Sequence, residues 1–184
     1  VAYGEGGDAV SGKLHGLVHC IAHANTEDLQ NDFIYTSRDG FAHALDVSAY
    51  SLVAVSQRAK NIMPEGAAIL TLTYMGSEKV INGYNIMGVA KAALETSVKY
   101  LAYNLGSHGI RINAISAGPV KTLSAKGIKN FGSILDTVPE KAPLKRNITQ
   151  EDLGKSALYL LSDMSSGTTG EIIHVDSGFN IMGI

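Results

Sequence analysis

Residues Thr71–Lys91 read T-L-T-Y-M-G-S-E-K-V-I-N-G-Y-N-I-M-G-V-A-K. This stretch joins an apolar run, typical of a buried β-strand, to a run that is typical of an α-helix. Tyr84 and Lys91 are seven positions apart, and seven helical steps of about 100° return to nearly the same face, about 10 Å further along. Helical side chains lean toward the N-terminus, so the Lys91 stem can reach back toward Tyr84. We therefore expect both residues to share one face, beside Tyr74 at the end of the strand.

The rest of the chain alternates between apolar runs and segments with helical periodicity. A short, nearly continuous apolar run suits a strand buried in a parallel sheet, whereas apolar residues recurring every three or four positions predict an amphipathic helix. Asn25–Ser37 is polar and is predicted to be a loop. The predicted strands are Leu14–Ala24, Ala67–Thr73, Ile110–Ile115 and Gly170–Val175, and the predicted helices are Arg38–Met63, Asn82–Gly106 and one that runs from the capping box Thr149–Asp152 to about Leu161.

This alternation predicts an α/β fold with a parallel sheet in one domain, residues 1–184. Ligands of such sheets bind at the carboxyl ends of the strands. Three predicted strand ends therefore converge on one crevice: Cys20–Ala24, Thr73–Tyr74 and Ser116–Thr122.

Composition narrows the class of protein. The chain has 184 residues, of which 45% are hydrophobic and 17% charged, which is typical of a globular domain. A net charge of −2 gives no indication of a nucleic-acid partner, and no apolar run is long enough to span a membrane. Cys20 is the single cysteine, so no intramolecular disulfide is possible. A reducing compartment, and hence a cytoplasmic location, is expected.

The two tyrosines and the lysine have two interpretations. Free tyrosine has a pKa near 10, and a nearby ammonium favours the phenolate and lowers that pKa. A tyrosine tuned in this way serves as an acid, or as a donor to an oxyanion, near neutral pH. In the alternative interpretation, Tyr74 and Tyr84 are aromatic residues at the rim of the core and Lys91 is a solvated helix residue.

Three segments resemble the FabI-type bacterial enoyl-[acyl-carrier-protein] reductases, a divergent group of short-chain dehydrogenases/reductases. They are T-Y-M-G-S-E-K-V-I-N-G-Y-N-I-M-G-V-A-K-A-A-L-E, R-I-N-A-I-S-A-G-P-V-K-T-L-S-A-K-G-I and G-E-I-I-H-V-D-S-G-F, within a resemblance that extends from Lys13 to Met182. Tyr84 and Lys91 match the Tyr-x6-Lys signature of this family. None of the eight tyrosines has a lysine four positions later, which is the spacing of ordinary short-chain alcohol and ketone reductases.

The resemblance implies a Rossmann-like, doubly wound parallel sheet and a set of catalytic residues. Tyr84 would hydrogen-bond the thioester carbonyl of the substrate and stabilise the enolate. Lys91 would hold the ribose hydroxyls of a nicotinamide cofactor, and Tyr74 would be the second active-site tyrosine. Thr71 stands where ordinary short-chain dehydrogenases carry a catalytic serine, and we predict that it is only a strand residue here.

Further positions are implied to bind cofactor or substrate. The turn after the third strand would contact the nicotinamide through small residues that allow a close backbone approach. The implied cofactor-binding residues are Ile21, Ala22, Lys91, Ala117, Gly118, Pro119, Val120, Thr122 and Ser124. The implied substrate-binding residues are Ala24, Tyr74, Tyr84, Met87, Ala125, Ile128 and Phe131. Met87 is equally compatible with a place in the core, and His23 stands where the family often has an aromatic pocket wall.

Two further patterns have unspecific explanations. His15, His19 and His23 recur every four residues, but they lie in a predicted strand without a completing acidic or cysteine partner, so no metal site is predicted. The segment 121–146 carries a local excess of positive charge, which indicates either a solvated surface or attraction of the cofactor pyrophosphate and an acidic carrier protein. Its charged residues are Lys121, Lys126, Lys129, Lys141, Lys145 and Arg146 against Asp136 and Glu140.

The family fold begins with strand–helix units that carry a glycine-rich pyrophosphate turn. No such turn is found among the first residues of this sequence, so we expect the chain to be the C-terminal two thirds of the fold. The function that the resemblance implies is reduction of trans-2-enoyl thioesters on acyl carrier protein in fatty acid biosynthesis. The resemblance also implies a homotetramer that uses NAD, with NADH preferred and NADPH also possible. The alternatives are a non-catalytic nucleotide-binding or structural module and a reductase of another substrate.

Overall fold

A four-stranded parallel sheet lies at the centre of the computed structural model, which describes residues 12–120 and 131–183. The strands lie in sequence order, β1-β2-β3-β4, and each pairs in parallel with the next. Their bounds are Gly16–His19 for β1, Ala68–Thr73 for β2, Arg111–Ala117 for β3 and Ile172–Val175 for β4. The predicted α/β fold with a parallel sheet is confirmed.

Helices connect the strands and cover the sheet. They are α1 (Thr26–Gln30), α2 (Arg38–Leu45), α3 (Ser51–Ala59), α4 (Asn85–Gly106), α5 (Phe131–Lys141) and α6 (Gln150–Leu161). The segment predicted as one helix, Arg38–Met63, is interrupted by a π-helical turn at Asp46–Tyr50. Segment 25–37, predicted as a loop, contains the short helix α1, and α5 was not predicted as a separate element.

Two apolar clusters pack on opposite faces of the sheet, because successive residues of a strand point to opposite sides. Ile69 and Ile112 pack with Leu52 of α3 and Leu94 of α4. On the other face, Leu70 and Ile115 pack with Leu160 of α6. The sheet is thus the middle of three layers, and its carboxyl edge lies between them.

The first strand is shorter than predicted, because the chain leaves the sheet after His19. The hydroxyl of Ser48, in the π-helical turn, accepts a hydrogen bond from the His23 amide at 2.9 Å and donates one to the His23 carbonyl at 3.0 Å. These bonds satisfy the backbone of His23 outside the sheet. Residues 20–24 therefore form a connection at the carboxyl end of β1.

Helix α4 begins three residues later than predicted. Gly83 has a φ of 79° and Asn85 a φ of 42°, so the backbone between β2 and α4 passes twice through the left-handed region. Tyr84 lies between these two residues and is the N-cap of α4. The predicted capping box of α6 is confirmed, with Thr149 and Asp152 each bonding the other's backbone amide.

Candidate active site

Three neighbouring strands bring the predicted site residues to one edge of the sheet. His19 pairs with Thr71 and Thr73 pairs with Ser116, so β1, β2 and β3 end close together. Because the strands are parallel, the connections that follow them leave from the same edge. The predicted convergence of three strand ends is confirmed.

Tyr84 is seated deep against the second tyrosine. It is 6% exposed, and its ring meets the ring of Tyr74 edge to face, with 5.0 Å between centroids and 73° between planes. Such T-shaped pairs contribute about 0.5–1.5 kcal/mol beyond the area they bury. Gly76 lies against the Tyr84 ring, where a Cβ would overlap the ring. Tyr84 is therefore held by Tyr74, by Gly76 and by its position at the start of α4.

Burial sets the protonation of the phenol. The pKa of Tyr84 is raised, first by desolvation and then by the neighbouring Tyr74 and Glu95. The pKa of Tyr74 is also raised by burial. The expectation of a lowered tyrosine pKa is wrong, because desolvation of the phenol and the neighbouring Tyr74 and Glu95 all raise it. Tyr84 keeps its proton at neutral pH and can act as a hydrogen-bond donor.

Lys91 is buried on the same helix and points toward strand β2. It is 8% exposed, and its Nζ donates a hydrogen bond to the carbonyl of Leu72 at 2.8 Å. Desolvation lowers its pKa to about 8, against smaller opposing effects of Cys20 and Glu95. The ammonium therefore lies at the end of β2, where it is placed to donate to a ligand in the crevice. Its described bond goes to a main-chain oxygen and not to Tyr84.

His19 and Thr71 link the ends of β1 and β2. Nδ1 of His19 lies 3.1 Å from the Thr71 hydroxyl, and Nε2 lies 2.9 Å from the hydroxyl of Ser51 on α3. Burial and the nearby Lys91 lower the pKa of His19, so the ring is neutral at pH 7. His19 therefore links β1 to β2 and to α3, and Thr71 lies within β2.

Glu95 is a site residue that the sequence reasoning missed. Its Oε1 accepts hydrogen bonds from the hydroxyls of Thr73 and Ser77, both at 2.5 Å. The Ser77 hydroxyl also lies 3.0 Å from the carbonyl of Tyr74. Glu95 thereby ties the residues on either side of Tyr74 to α4. The spacing Lys91–Glu95, one helical turn, was a usable signal that both residues lie on one face.

The turn after β3 presents small residues at the same edge of the sheet. Gly118 is fixed by a hydrogen bond from its amide to the carbonyl of Val175 at 2.8 Å. Ala117 and Val120 are partly exposed at this edge, whereas Gly118 and Pro119 are buried. Ile21 and Ala22, after β1, are exposed. The Lys91 ammonium and main-chain N–H groups at this edge are hydrogen-bond donors, and the side chains around them are apolar. This combination fits a nicotinamide nucleoside. Thr122 and Ser124 lie outside the described residues.

An apolar cluster marks the place predicted for the acyl chain. Ala24, Tyr84 and Met87 are buried together, with Tyr74 packed at their border. His23 is exposed beside this cluster, and its Nδ1 lies 2.8 Å from Nε2 of His43 on α2. Ala125 and Ile128 lie outside the described residues, and Phe131 begins α5.

The sequence predicts no metal site and a basic segment over 121–146, part of which lies among the described residues. Among residues 12–120 and 131–183, no group of three or more His, Cys, Asp or Glu side chains is arranged to hold a metal ion. In the described part of the basic segment, Arg146 makes an ion pair of 2.7 Å with Asp152, and Lys145 Nζ bonds the carbonyl of Glu140. Lys121, Lys126 and Lys129 lie outside the described residues. The pair with Asp152 reduces the positive charge that Arg146 presents.

Known proteins resemble this chain over most of its length. The model of the family described as Enoyl-(Acyl carrier protein) reductase matches residues 6–180. A Bacillus cereus protein named enoyl-[acyl-carrier-protein] reductase [NADH] FabI is 60% identical over 172 residues, which are 94% of this chain and 67% of the relative. The corresponding NADPH protein of Staphylococcus aureus strain MRSA252 is 58% identical over 92% of this chain and 66% of its own length.

A solved structure matches the fold as well. The crystal structure of the Bacillus cereus enoyl-acyl carrier protein reductase, with NADP+ and indole naphthyridinone, superposes with a TM-score of 0.91 at 59% identity. The match covers 94% of this chain and 67% of that chain, so the chain spans about two thirds of the length of the relatives it matches. The predicted Rossmann-like fold is confirmed. The match of the family model over most of the chain and the identity to its relatives show that the chain belongs to the enoyl-(acyl carrier protein) reductase family.

Proposed function

We propose that the protein containing this chain reduces the double bond of trans-2-enoyl thioesters carried by acyl carrier protein, in fatty acid biosynthesis. The observation that carries the proposal is the position of Tyr84 at the edge where three strands end. Its phenol is protonated and packs against Tyr74. Lys91 lies on the same helix at the end of β2. The family to which the chain belongs supports the same reaction.

Tyr84 acts on the substrate carbonyl. Reduction at the β-carbon of an enoyl thioester places negative charge on the carbonyl oxygen, and a donor fixed in advance stabilises that charge. Because burial raises the pKa of Tyr84, the phenol holds its proton at neutral pH and donates it in a hydrogen bond. The enolate collapses when a proton is added at the α-carbon. Tyr74 packs on the Tyr84 ring and restricts its orientation.

Lys91 and the turn after β3 bind the nicotinamide end of the cofactor. When bound, the reduced nicotinamide supplies the hydride that adds to the β-carbon. The Lys91 ammonium is placed to hold ribose hydroxyls, and main-chain groups of Ala117–Val120 to hold the carboxamide. Relatives are named for either NADH or NADPH, so a nicotinamide dinucleotide is the proposed cofactor, with NADH preferred. Thr122 and Ser124 are proposed to extend this contact.

The acyl chain is proposed to lie against the cluster of Ala24 and Met87, beside both tyrosines. This surface is apolar and adjacent to the Tyr84 hydroxyl, so a thioester carbonyl bound there places its chain on hydrophobic side chains. Ala125, Ile128 and Phe131 are proposed to complete the pocket. The acidic carrier protein is proposed to approach the basic segment 121–146.

Helix α4 also supports the proposal of a homotetramer. Val89, Tyr100 and Tyr103 are exposed, and their spacing of eleven and three residues places them on one face of the helix. Tyr103 is 85% exposed. An apolar stripe that the described residues of its own chain do not cover is a suitable subunit interface. None of the helices in the described residues has the length and hydrophobicity of a membrane span. A cytoplasmic location is proposed because the single cysteine, Cys20, fits a reducing compartment.

Turnover by the full-length protein tests the proposed reaction. The oxidation of reduced nicotinamide is followed with a trans-2-enoyl thioester and, as the matched control, with a 3-ketoacyl thioester of the same chain length. We expect turnover of the enoyl thioester and little turnover of the ketone. Preference for the ketone would favour another reductase. Tight dinucleotide binding without turnover of either substrate would favour a non-catalytic module.

A further inference from the structure

The residue that follows Tyr84 has an unusual backbone. Asn85 has a φ of 42°, in the left-handed region, although it is the first residue of α4. Residues other than glycine seldom adopt this conformation, and asparagine tolerates it better than most. The direction in which Tyr84 enters the site depends on this torsion, because the two residues share a peptide bond.

The Asn85 side chain forms hydrogen bonds with the C-terminal end of helix α1. Its Nδ2 donates one hydrogen bond to the carbonyl of Leu29 at 2.9 Å and another to the carbonyl of Asn31 at 2.7 Å. Leu29 belongs to α1, and Asn31 is the C-cap of that helix. Carbonyls at the end of a helix lack partners within it, so the carboxamide satisfies groups that otherwise need water.

The acceptor segment also borders the acyl site. Leu29 packs against the cluster that contains Ala24, Tyr84 and Met87. Helix α1 begins at Thr26, two residues after Ala24. Asn85 therefore joins the start of the helix that carries Tyr84 and Lys91 to the segment that follows the pocket wall.

We propose that Asn85 is a positioning residue for Tyr84, a role that rests on the proposed function and goes beyond it. The two hydrogen bonds hold Asn85 in the left-handed conformation, and that conformation aims the Tyr84 phenol at the substrate carbonyl. The side chain acts through Tyr84 and does not touch the reacting atoms. Loss of its bonds lets the N-terminus of α4 relax and moves the hydroxyl away from its productive place.

Two substitutions remove the hydrogen bonds and keep a residue that tolerates the left-handed torsion. Asn85→Gly keeps a residue that adopts a positive φ readily and removes both bonds. Asn85→Asp keeps the size of the side chain but replaces the two N–H donors by an oxygen that faces two carbonyl oxygens. Asn104→Asp is the matched control, because Asn104 lies near the other end of α4 and its side chain donates, in the described contacts, to the Tyr100 carbonyl of the same helix.

The test combines turnover with a probe of the tyrosine itself, in the full-length protein. Fluorotyrosine is incorporated, and the fluorine NMR signal of Tyr84 is assigned by its loss in Tyr84→Phe. We expect Asn85→Gly and Asn85→Asp to lower kcat by about tenfold to a hundredfold, with an unchanged Kd for the reduced dinucleotide, and to shift or broaden the Tyr84 signal. Asn104→Asp should change neither quantity.

The outcomes distinguish this proposal from the proposed function. An unchanged Tyr84 signal in both Asn85 variants would overturn the positioning role, whatever the activity. A shifted signal together with unchanged kcat on an active enzyme would also overturn it. If the unsubstituted protein does not turn over enoyl thioesters, the proposed function fails alone, and the fluorine signal still decides whether Asn85 fixes Tyr84. Asn85→Gly remains informative if Asn85→Asp does not fold.

Discussion

The ring of Tyr84 meets the ring of Tyr74 edge to face, with 5.0 Å between their centroids. This contact packs the partly buried Tyr74 against the buried Tyr84 as one unit, although the two residues belong to different elements. Tyr74 follows β2, whereas Tyr84 is the N-cap of α4. The activity proposed for the protein depends on this unit, because burial keeps the phenol protonated and packing fixes its orientation.

Gly76 leaves the space that the Tyr84 ring occupies, and the substitution Gly76→Ala should fill that space. A Cβ at this position would overlap the Tyr84 ring, so the ring or the loop must move. We expect the free energy of unfolding to fall by about 1–3 kcal/mol and kcat to fall with it. Denaturant unfolding and steady-state turnover measure the two effects.

Gly154→Ala is the matched control for this substitution. Gly154 lies inside α6, and a Cβ there would meet no heavy atom within 4 Å. Alanine in a helix interior is favoured over glycine by about 0.5–1 kcal/mol, so the control should be neutral or slightly stabilising. If both glycine variants had the same free energy of unfolding and the same kcat, Gly76 would not be needed for the packing of Tyr84.

Lys91 should make stability depend on pH in a defined direction. Its pKa in the folded protein is about 8, below the 10.5 of an unperturbed lysine. Between these values the folded state binds fewer protons than the unfolded state, so stability rises with pH. Relative to Lys91→Met, the unsubstituted protein should gain about 2 kcal/mol between about pH 7 and about pH 9.5.

Chemical denaturation at several pH values measures this gain. Lys99→Met is the control, because Lys99 is exposed on the same helix, and its curve should stay parallel to that of the unsubstituted protein. A stability difference for Lys91→Met that stays constant with pH would show that the buried ammonium is not desolvated as described.

Arg111 should be important for stability and unimportant for catalysis. It is buried at the start of β3, and its guanidinium donates to the carbonyls of Leu160 and Ser162 and to the hydroxyl of Ser165. These groups lie at the C-terminal end of α6 and just after it. We expect Arg111→Ala to lower the free energy of unfolding by about 2–4 kcal/mol, since several buried acceptors lose a charged donor.

The control for Arg111 is an exposed cation. Lys155 forms an ion pair with Glu151 on the surface of α6, and Lys155→Ala should cost less than about 1 kcal/mol. Thermal unfolding compares the two variants. At a temperature where both are folded, kcat of Arg111→Ala should match that of the unsubstituted protein, because β3 begins at the edge opposite the site. A selective loss of kcat would contradict this separation.

The sequence predicted the parts of the fold that depend on regular patterns. Apolar runs located β2 and β3 to within two residues, and the capping box located the start of α6. The patterns could not locate the π-helical turn at Asp46–Tyr50, because its residues continue the periodicity of the flanking helices. The left-handed torsion of Asn85 was also not predicted, since it depends on acceptors more than fifty residues away in sequence.

For the site, residue spacing placed Tyr84 and Lys91 on one helix but gave the wrong sign for the pKa of the tyrosine. That sign depends on how much water surrounds the phenol, which follows from packing by Tyr74 and Gly76. The role of Glu95 was missed for a similar reason, because its two hydroxyl partners lie in another element, Thr73 at the end of β2 and Ser77 in the loop that follows. Spacing identifies which residues share a face, and tertiary packing decides what they do there.

The most direct test of the central claim is the turnover of an enoyl thioester by Tyr84→Phe in the full-length protein. Phenylalanine keeps the ring against Tyr74 and removes the hydroxyl alone. Loss of one donor to an oxyanion should lower kcat by about a hundredfold to a thousandfold, while the Kd for the reduced dinucleotide stays unchanged. A kcat equal to that of the unsubstituted protein would contradict the role of Tyr84 as the donor to the substrate carbonyl.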